Sequence, residues 1–254
     1  MSDILYKYLD ANGGRLMLIN SNLKFTNATQ LNDPFDCHPA LIDFSNVPLE
    51  RFGGWSAEDV VLVESDQYRR NREKAWICSL SKTSDSILMW SYYNKHKGVC
   101  IGIDMEKARK YLSQMRGATM IGCDELEVQY KDIVEKPDHF KNRSGLWPYQ
   151  LSTKAKAWEH EQEVRLFIFE PSWMHMRLAP GQTDKKCPID IKEIGAFPNI
   201  GGECYASIYL GISMDKEEKE EIIKVARKRN PDIKIYQMTI DPNAFRLKEY
   251  LIEQ

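Results

Sequence analysis

Apolar positions along this chain fall into two kinds of short run. Residues 76–81, 99–103, 164–169 and 205–210 are strand-length, carry β-branched or aromatic side chains, and are bounded by polar or glycine-containing segments. That pattern predicts buried strands. Residues 233–240 alternate Ile, Ile and Tyr with Lys and Gln, which predicts an edge or half-exposed strand, and 126–130 predicts a short alternating one. Residues 3–8 predict a first strand, with Leu5 and Lys7 on one face and Tyr6 and Tyr8 on the other. Helical spacing follows Asp104, where Ala108, Tyr111, Leu112 and Met115 recur. It appears again after Asp215, with Ile222, Ile223 and Ala226 inward and Asn230-Pro231 as the stop. A third helix, polar nearly all round after Val63, is predicted over 56–74 from the capping-box variant Ser56-Ala-Glu-Asp59.

Elsewhere the pattern is interrupted. Gly13-Gly14 breaks the chain, and the short apolar runs at 16–18 and 23–25 predict a hairpin-like connection. Leu88, Trp90, Tyr92 and Tyr93 form an aromatic cluster assigned to the core, on a turn capped by Ser84. Residues 131–153 and 171–203 are long irregular connections, the second around a strand at 187–191. A final amphipathic segment covers 245–252. No repeat or linker divides the chain, so the prediction is one α+β domain over 1–254. It has a mixed or antiparallel central sheet of at least five strands, peripheral helices and long loops.

Composition narrows the partners. The 35 basic and 37 acidic residues give a net charge of -2, which supplies no whole-protein attraction for nucleic acid. No apolar run is long enough to cross a bilayer, and the start, MSDILYKYLD, lacks an apolar signal core. A cytoplasmic protein with no membrane partner is expected, its six cysteines (Cys37, Cys78, Cys100, Cys123, Cys187, Cys204) all reduced. No Cys-x-x-Cys pair, zinc-binding His tract, glycine-rich phosphate loop, His-Glu-x-x-His or Gly-x-Ser-x-Gly occurs. No metal and no resident cofactor are therefore expected, and His160, set among glutamates, reads as part of a solvated segment.

The candidate chemistry centres on residues 154–169. The first half is charged and reads as solvated; the second enters a buried strand. Carboxylates at such a rim are where proteins tune acids. Residues two apart share a strand face, so Glu161, Glu163 and Arg165 are expected to point the same way, as a site or as a structural Glu–Arg pair. Ser79 and Ser81 end another buried strand on one face. Hydroxyls and carboxylates at the strand ends of one sheet need partners, which predicts a cleft they share with Tyr6 and Tyr8. The Asn32-Asp33-Pro34 turn holds Phe35 between two aspartates, as a structural anchor or as a cleft wall.

The segments Leu5-Tyr-Lys-Tyr8, Leu31-Asn-Asp-Pro-Phe-Asp36, Cys78-Ser-Leu-Ser81, Leu88-Met-Trp-Ser-Tyr-Tyr93, His96-Lys-Gly-Val99 and Trp158-Glu-His-Glu-Gln-Glu-Val-Arg165 together resemble one large bacterial family that carries a domain-of-unknown-function label. The resemblance runs from about residue 3 to 250 and implies little about activity. More distantly, Lys7 with its flanking tyrosines, then Ser79-Leu-Ser81, then Glu161-Gln-Glu163 resemble, in order, the three signals of ADP-ribosyltransferases. This chain lacks the early-strand Arg or His of that group and has Lys7 there. The resemblance implies NAD as a substrate rather than a resident cofactor. It implies that the first strand and the serines hold nicotinamide and ribose, with Tyr8 or Phe35 stacking on the ring. Glu163 would stabilise the developing ribosyl cation, and Glu161 would position or deprotonate the acceptor. Two other readings stay open: a non-enzymatic module that binds a ligand or partner in the same cleft, and an RNA-binding protein or nuclease using Arg69, Arg70 and Arg72 beside Tyr68.

Overall fold

The computed structural model describes residues 3–119, 124–141, 144–169, 190–192 and 195–253. In chain order the elements are β1 (Ile4–Leu9), α1 (Ala11–Asn20), β2 (Thr26–Asn27), α2 (Ala57–Lys74), β3 (Ala75–Ser81), α3 (Ile87–Asn94), β4 (Val99–Asp104), α4 (Met105–Thr119) and β5 (Asp124–Glu127). Then follow β6 (Gln129–Lys131), α5 (Leu146–Ser152), β7 (Thr153–Ala155), a 3-10 turn (Lys156–Glu161), β8 (Glu163–Phe169), β9 (Asp190–Lys192), β10 (Gly195–Phe197), β11 (Tyr205–Leu210), α6 (Lys216–Arg229), β12 (Lys234–Ile240) and β13 (Leu247–Glu253). The fold is α+β. Its central sheet has nine strands, in the order β13-β12-β11-β4-β1-β3-β8-β5 with β2 added on β3, and is mixed but mostly antiparallel. The parallel pair in it is β11 with β12.

Alternation along the strands gives the sheet two different faces. One carries the main apolar core: Leu5, Cys78, Leu80, Ile101, Ile103, Leu166, Ile168, Ile208 and Ile235 pack under Met17 and Leu18 of α1, Ala108 and Leu112 of α4, and Ile222 and Ala226 of α6. Each such large side chain contributes about 1.5–3 kcal/mol when taken out of water. The opposite face is covered in two patches. Met89 and Trp90 of α3 cover Tyr8, Cys100, Tyr209 and Met238, while Ala28, Cys37 and Leu151 cover Ile77 and Phe167. Between these patches the sheet carries polar side chains.

Several local expectations change. Residues 11–20 form a helix despite Gly13 and Gly14, because the Asp10 carboxylate caps it by accepting from the Gly13 amide at 2.6 Å. Gly14 serves close packing rather than a break: a β-carbon there would lie 2.2 Å from Val99 Cγ2. Ser86, not Ser84, caps α3, accepting from the Met89 amide. Trp90 of α3 is buried, but Leu88, Tyr92 and Tyr93 are exposed, since only one side of this short helix meets the sheet. The strand expected at 126–130 divides at Val128, β5 pairing with β8 and β6 with β7. The connection at 131–153 contains α5. β12 is half exposed but interior; the edge strand is β13, formed by the segment expected to be merely amphipathic. Of the strand expected at 187–191, residues 187–189 lie outside the described residues, and 190–192 form β9 against β10. Cys37, Cys78, Cys100 and Cys204 are free thiols; Cys123 and Cys187 lie outside the described residues. Among the described residues, no helix is long and apolar enough to cross a membrane.

Candidate functional site

The polar strip on the second face follows from strand register. Ser81 lies opposite Tyr6 on one side and Glu163 on the other, and Ser79 lies opposite Arg165. Directly paired residues project from the same face of a sheet. Tyr6, Ser79, Ser81, Glu163 and Arg165 are therefore neighbours across the adjacent strands β1, β3 and β8, although up to 159 positions separate them in the chain (165 − 6).

Arg165 and Asp36 are the most buried of the charged groups here, each 1 % exposed. The Arg165 guanidinium donates from Nε to Glu163 Oε1 at 2.8 Å and from Nη2 to Glu163 Oε2 at 3.0 Å. It also donates from Nη2 to Asp36 Oδ2 and from Nη1 to the Leu151 carbonyl, both at 2.8 Å. Lys154 Nζ, also buried, donates to Glu161 Oε2 at 2.5 Å and Glu163 Oε2 at 3.0 Å, and lies 3.8 Å from Asp36. The Trp158 ring lies against the same ammonium, with its centroid 5.1 Å away. Tyr93 donates its hydroxyl to Glu161 Oε1 at 2.6 Å. The Glu163 amide donates to the Tyr130 hydroxyl at 2.8 Å, and the Ser81 hydroxyl donates to the Glu161 carbonyl at 2.7 Å. Three carboxylates and two cations are thus packed together, one negative charge in excess.

Titration follows from this packing. Burial by itself raises the Glu163 pKa, but Arg165 and Lys154 outweigh it and hold the carboxyl well below the usual glutamate range. Burial likewise works against the Lys154 ammonium, yet Glu163 and Asp36 keep its pKa above the ordinary lysine value. Burial, then the adjacent Glu161 carboxylate, push the Tyr93 phenol far up, so it remains a proton donor. Burial pushes Tyr130 and Cys37 up to about 12.

A cleft of about 230 Å³ opens onto this cluster. Tyr6, Lys7, Tyr8, Ser79, Ser81, Glu161 and Glu163 all line it. Two residues singled out from the sequence lie elsewhere. Arg165 sits behind Glu163 rather than on the wall, and Phe35 points to solvent, 61 % exposed, away from the lining. Lys7 donates to the Ser79 carbonyl at 2.8 Å and Tyr8 to the Thr83 carbonyl at 3.0 Å, so both are tied to the β3 strand and its exit. Glu161 reaches the cluster from a 3-10 turn, not from the strand that holds Glu163. Gln162, left-handed at φ 44°, changes the chain direction between them.

Lys154, Asp36 and Tyr93 also line the cleft, and sequence reasoning did not assign them to it. Lys154 was expected to be solvated. It is buried because β7 pairs with β6 and turns its side chain under the 3-10 segment. No local pattern marks it. Asp36 had a weak signal, its place after the Asn32-Asp33-Pro34 turn, which fixes the loop that delivers it.

Family models, curated proteins and solved structures return no match to this chain. Its chemistry rests on its own geometry. Among the described residues no three His, Cys, Asp or Glu side chains are grouped to hold a metal ion. What the cluster offers is a fixed carboxylate pair beside hydroxyls and tyrosine rings, preorganised by cations from behind.

Proposed function

We propose that the protein is an ADP-ribosyltransferase-like enzyme that binds NAD in this cleft and transfers ADP-ribose to an acceptor. The observation that carries the reading is the meeting of Tyr6, Lys7 and Tyr8 on β1, Ser79 and Ser81 on β3, and Glu161 and Glu163 around β8 in a single cleft that opens onto the charged cluster. The tyrosines supply faces and edges for the nicotinamide ring, and the serines supply hydroxyls for the ribose. As the bond from the ribose C1′ to the nicotinamide nitrogen breaks, its electron pair leaves with nicotinamide and positive charge grows on the ribose. Glu163, held ionised by Arg165 and Lys154, stabilises that charge without reorganising. Glu161 orients the acceptor from the adjoining turn, and Arg165 positions Glu163 from behind. The depressed pKa of Glu163 suits this electrostatic role better than proton transfer. A cytoplasmic setting belongs to the same proposal, and the four described free thiols are compatible with it.

A competing reading is favoured by a specific observation: every carboxylate in the cluster already faces a cation, as in a purely structural network around a non-enzymatic binding cleft. The experiment separating them is calorimetric titration with NAD together with chromatography for released nicotinamide. The transfer reading expects saturable binding and slow nicotinamide release that Glu163→Gln abolishes at a temperature where circular dichroism shows the variant folded. Absence of both binding and release leaves the structural reading.

A further inference from the structure

We infer that the acceptor is a neutral hydroxyl, of the alcohol or phenol class, and not a guanidinium, and that the Tyr93 hydroxyl occupies the acceptor's place on Glu161. The inference rests on the ADP-ribosyl-transfer reading above and supplies its second substrate.

Glu161 lines the cleft and touches a partly exposed residue, Tyr93. Its Oε2 is committed to Lys154 at 2.5 Å, and that ammonium is buried against Glu163 and Trp158. Its Oε1 accepts from Tyr93 at 2.6 Å. Tyr93 lines the cleft and is 41 % exposed. Burial and the Glu161 carboxylate hold its phenol protonated, so the hydrogen bond always runs from hydroxyl to carboxylate. The position beside Oε1 is thus already shaped for a neutral O–H donor at hydrogen-bond distance from a carboxylate.

The charge count points the same way. Asp36, Glu161 and Glu163 against Lys154 and Arg165 leave a single negative charge in the cluster, and Lys7, which lines the same cleft, offsets it. The ribosyl cation that forms in transfer already adds one positive charge. A guanidinium acceptor would add another to a site whose remaining carboxylate oxygens are occupied by cations, and buried unpaired charge is costly. A hydroxyl adds none. In the step itself the acceptor hydroxyl displaces Tyr93 from Oε1. The C1′–nitrogen bond breaks with its electron pair going to nicotinamide, and the acceptor oxygen bonds to C1′. The acceptor's proton passes to Glu161 Oε1 and from there to water. Tyr93 is a positioning residue, keeping Glu161 aimed until the acceptor arrives.

The test uses the full chain with NAD and, in parallel, 4-ethylphenol or agmatine at equal concentration, with nicotinamide read by chromatography and adducts by mass spectrometry. The expected result is an ADP-ribose adduct on 4-ethylphenol exceeding that on agmatine by roughly tenfold or more. Tyr93→Phe, which keeps the ring and frees Oε1, is expected to lower the KM for 4-ethylphenol, an effect that loss of a structural hydrogen bond would not produce. Equal or greater adduct on agmatine, nicotinamide release with free ADP-ribose as sole product, or an unchanged KM in Tyr93→Phe overturns the acceptor assignment and leaves the transfer reading in place. No nicotinamide release from the parent under any condition removes both.

Discussion

Arg165 and Arg69 each bridge two carboxylates, yet they sit at opposite limits of solvent exposure. Arg69 spans Asp66 and Glu73 on the outer surface of α2, its side chain 56 % exposed. Arg165 spans Glu163 and Asp36 beneath the cleft, 1 % exposed, with Lys154 and Glu161 packed alongside. The contacts have the same chemistry and similar lengths. Their consequences differ because water competes for and screens the first set, while the second has no substitute partner once one member is removed. Burial also changes the use of the pair: the α2 network can flex, whereas the Arg165 network holds Glu163 in one orientation and one charge state.

Four measurements press on this contrast. The largest effect is expected for Arg165→Met, which leaves Asp36 and Glu163 buried with Lys154 as their remaining cation. Urea denaturation should show a loss of about 3–5 kcal/mol. A loss under about 1 kcal/mol would mean the cluster admits water freely. Next comes acid. The folded-state pKa of Glu163 is depressed, so its contribution to stability is complete above the usual glutamate value and is lost as pH falls below that value toward the folded one. Melting temperature should therefore fall with pH in this acid range, and Glu163→Gln should flatten the dependence, since glutamine does not titrate. Equal slopes in the two proteins would assign acid sensitivity to other carboxylates. Smaller again is Tyr93→Phe, which removes one hydrogen bond at a half-open position. A stability change of about 0.5–1.5 kcal/mol is expected by denaturation. The smallest effect belongs to Arg69→Ala, for which thermal melts at low and high salt should coincide with those of the parent. A salt-sensitive drop there would erase the distinction between exposed and buried bridges.

The candidate site was partly legible before folding. Period-two alternation put Glu163 and Arg165 on one strand face and Ser79 and Ser81 on another, and strand register makes those faces one surface. Glu161 lies off that strand, because β8 begins at Glu163 and the left-handed Gln162 ends the strand period before the 3-10 turn. Lys154 reads as solvated, since a Lys-containing segment beside Trp and His looks like any solvated one.

By itself the sequence determined the α+β class, the strands built from β-branched and aromatic runs, and the helices α2, α4 and α6, because these depend on neighbours a few positions away; the Asp215 side chain expected to cap α6 makes no capping hydrogen bond. Tertiary structure alone decided which polar residues are buried. Asp36 meets Arg165 across 129 positions, Ser81 meets Glu161 across 80, and Tyr93 meets Glu161 across 68. A charged side chain leaves water only where counter-charges arrive from remote segments to replace its hydration. No local pattern records that arrival, which is why Gly14 and Lys154 read in sequence as a breaker and a solvated ion and stand in the fold as a packing contact and a wall of the cleft.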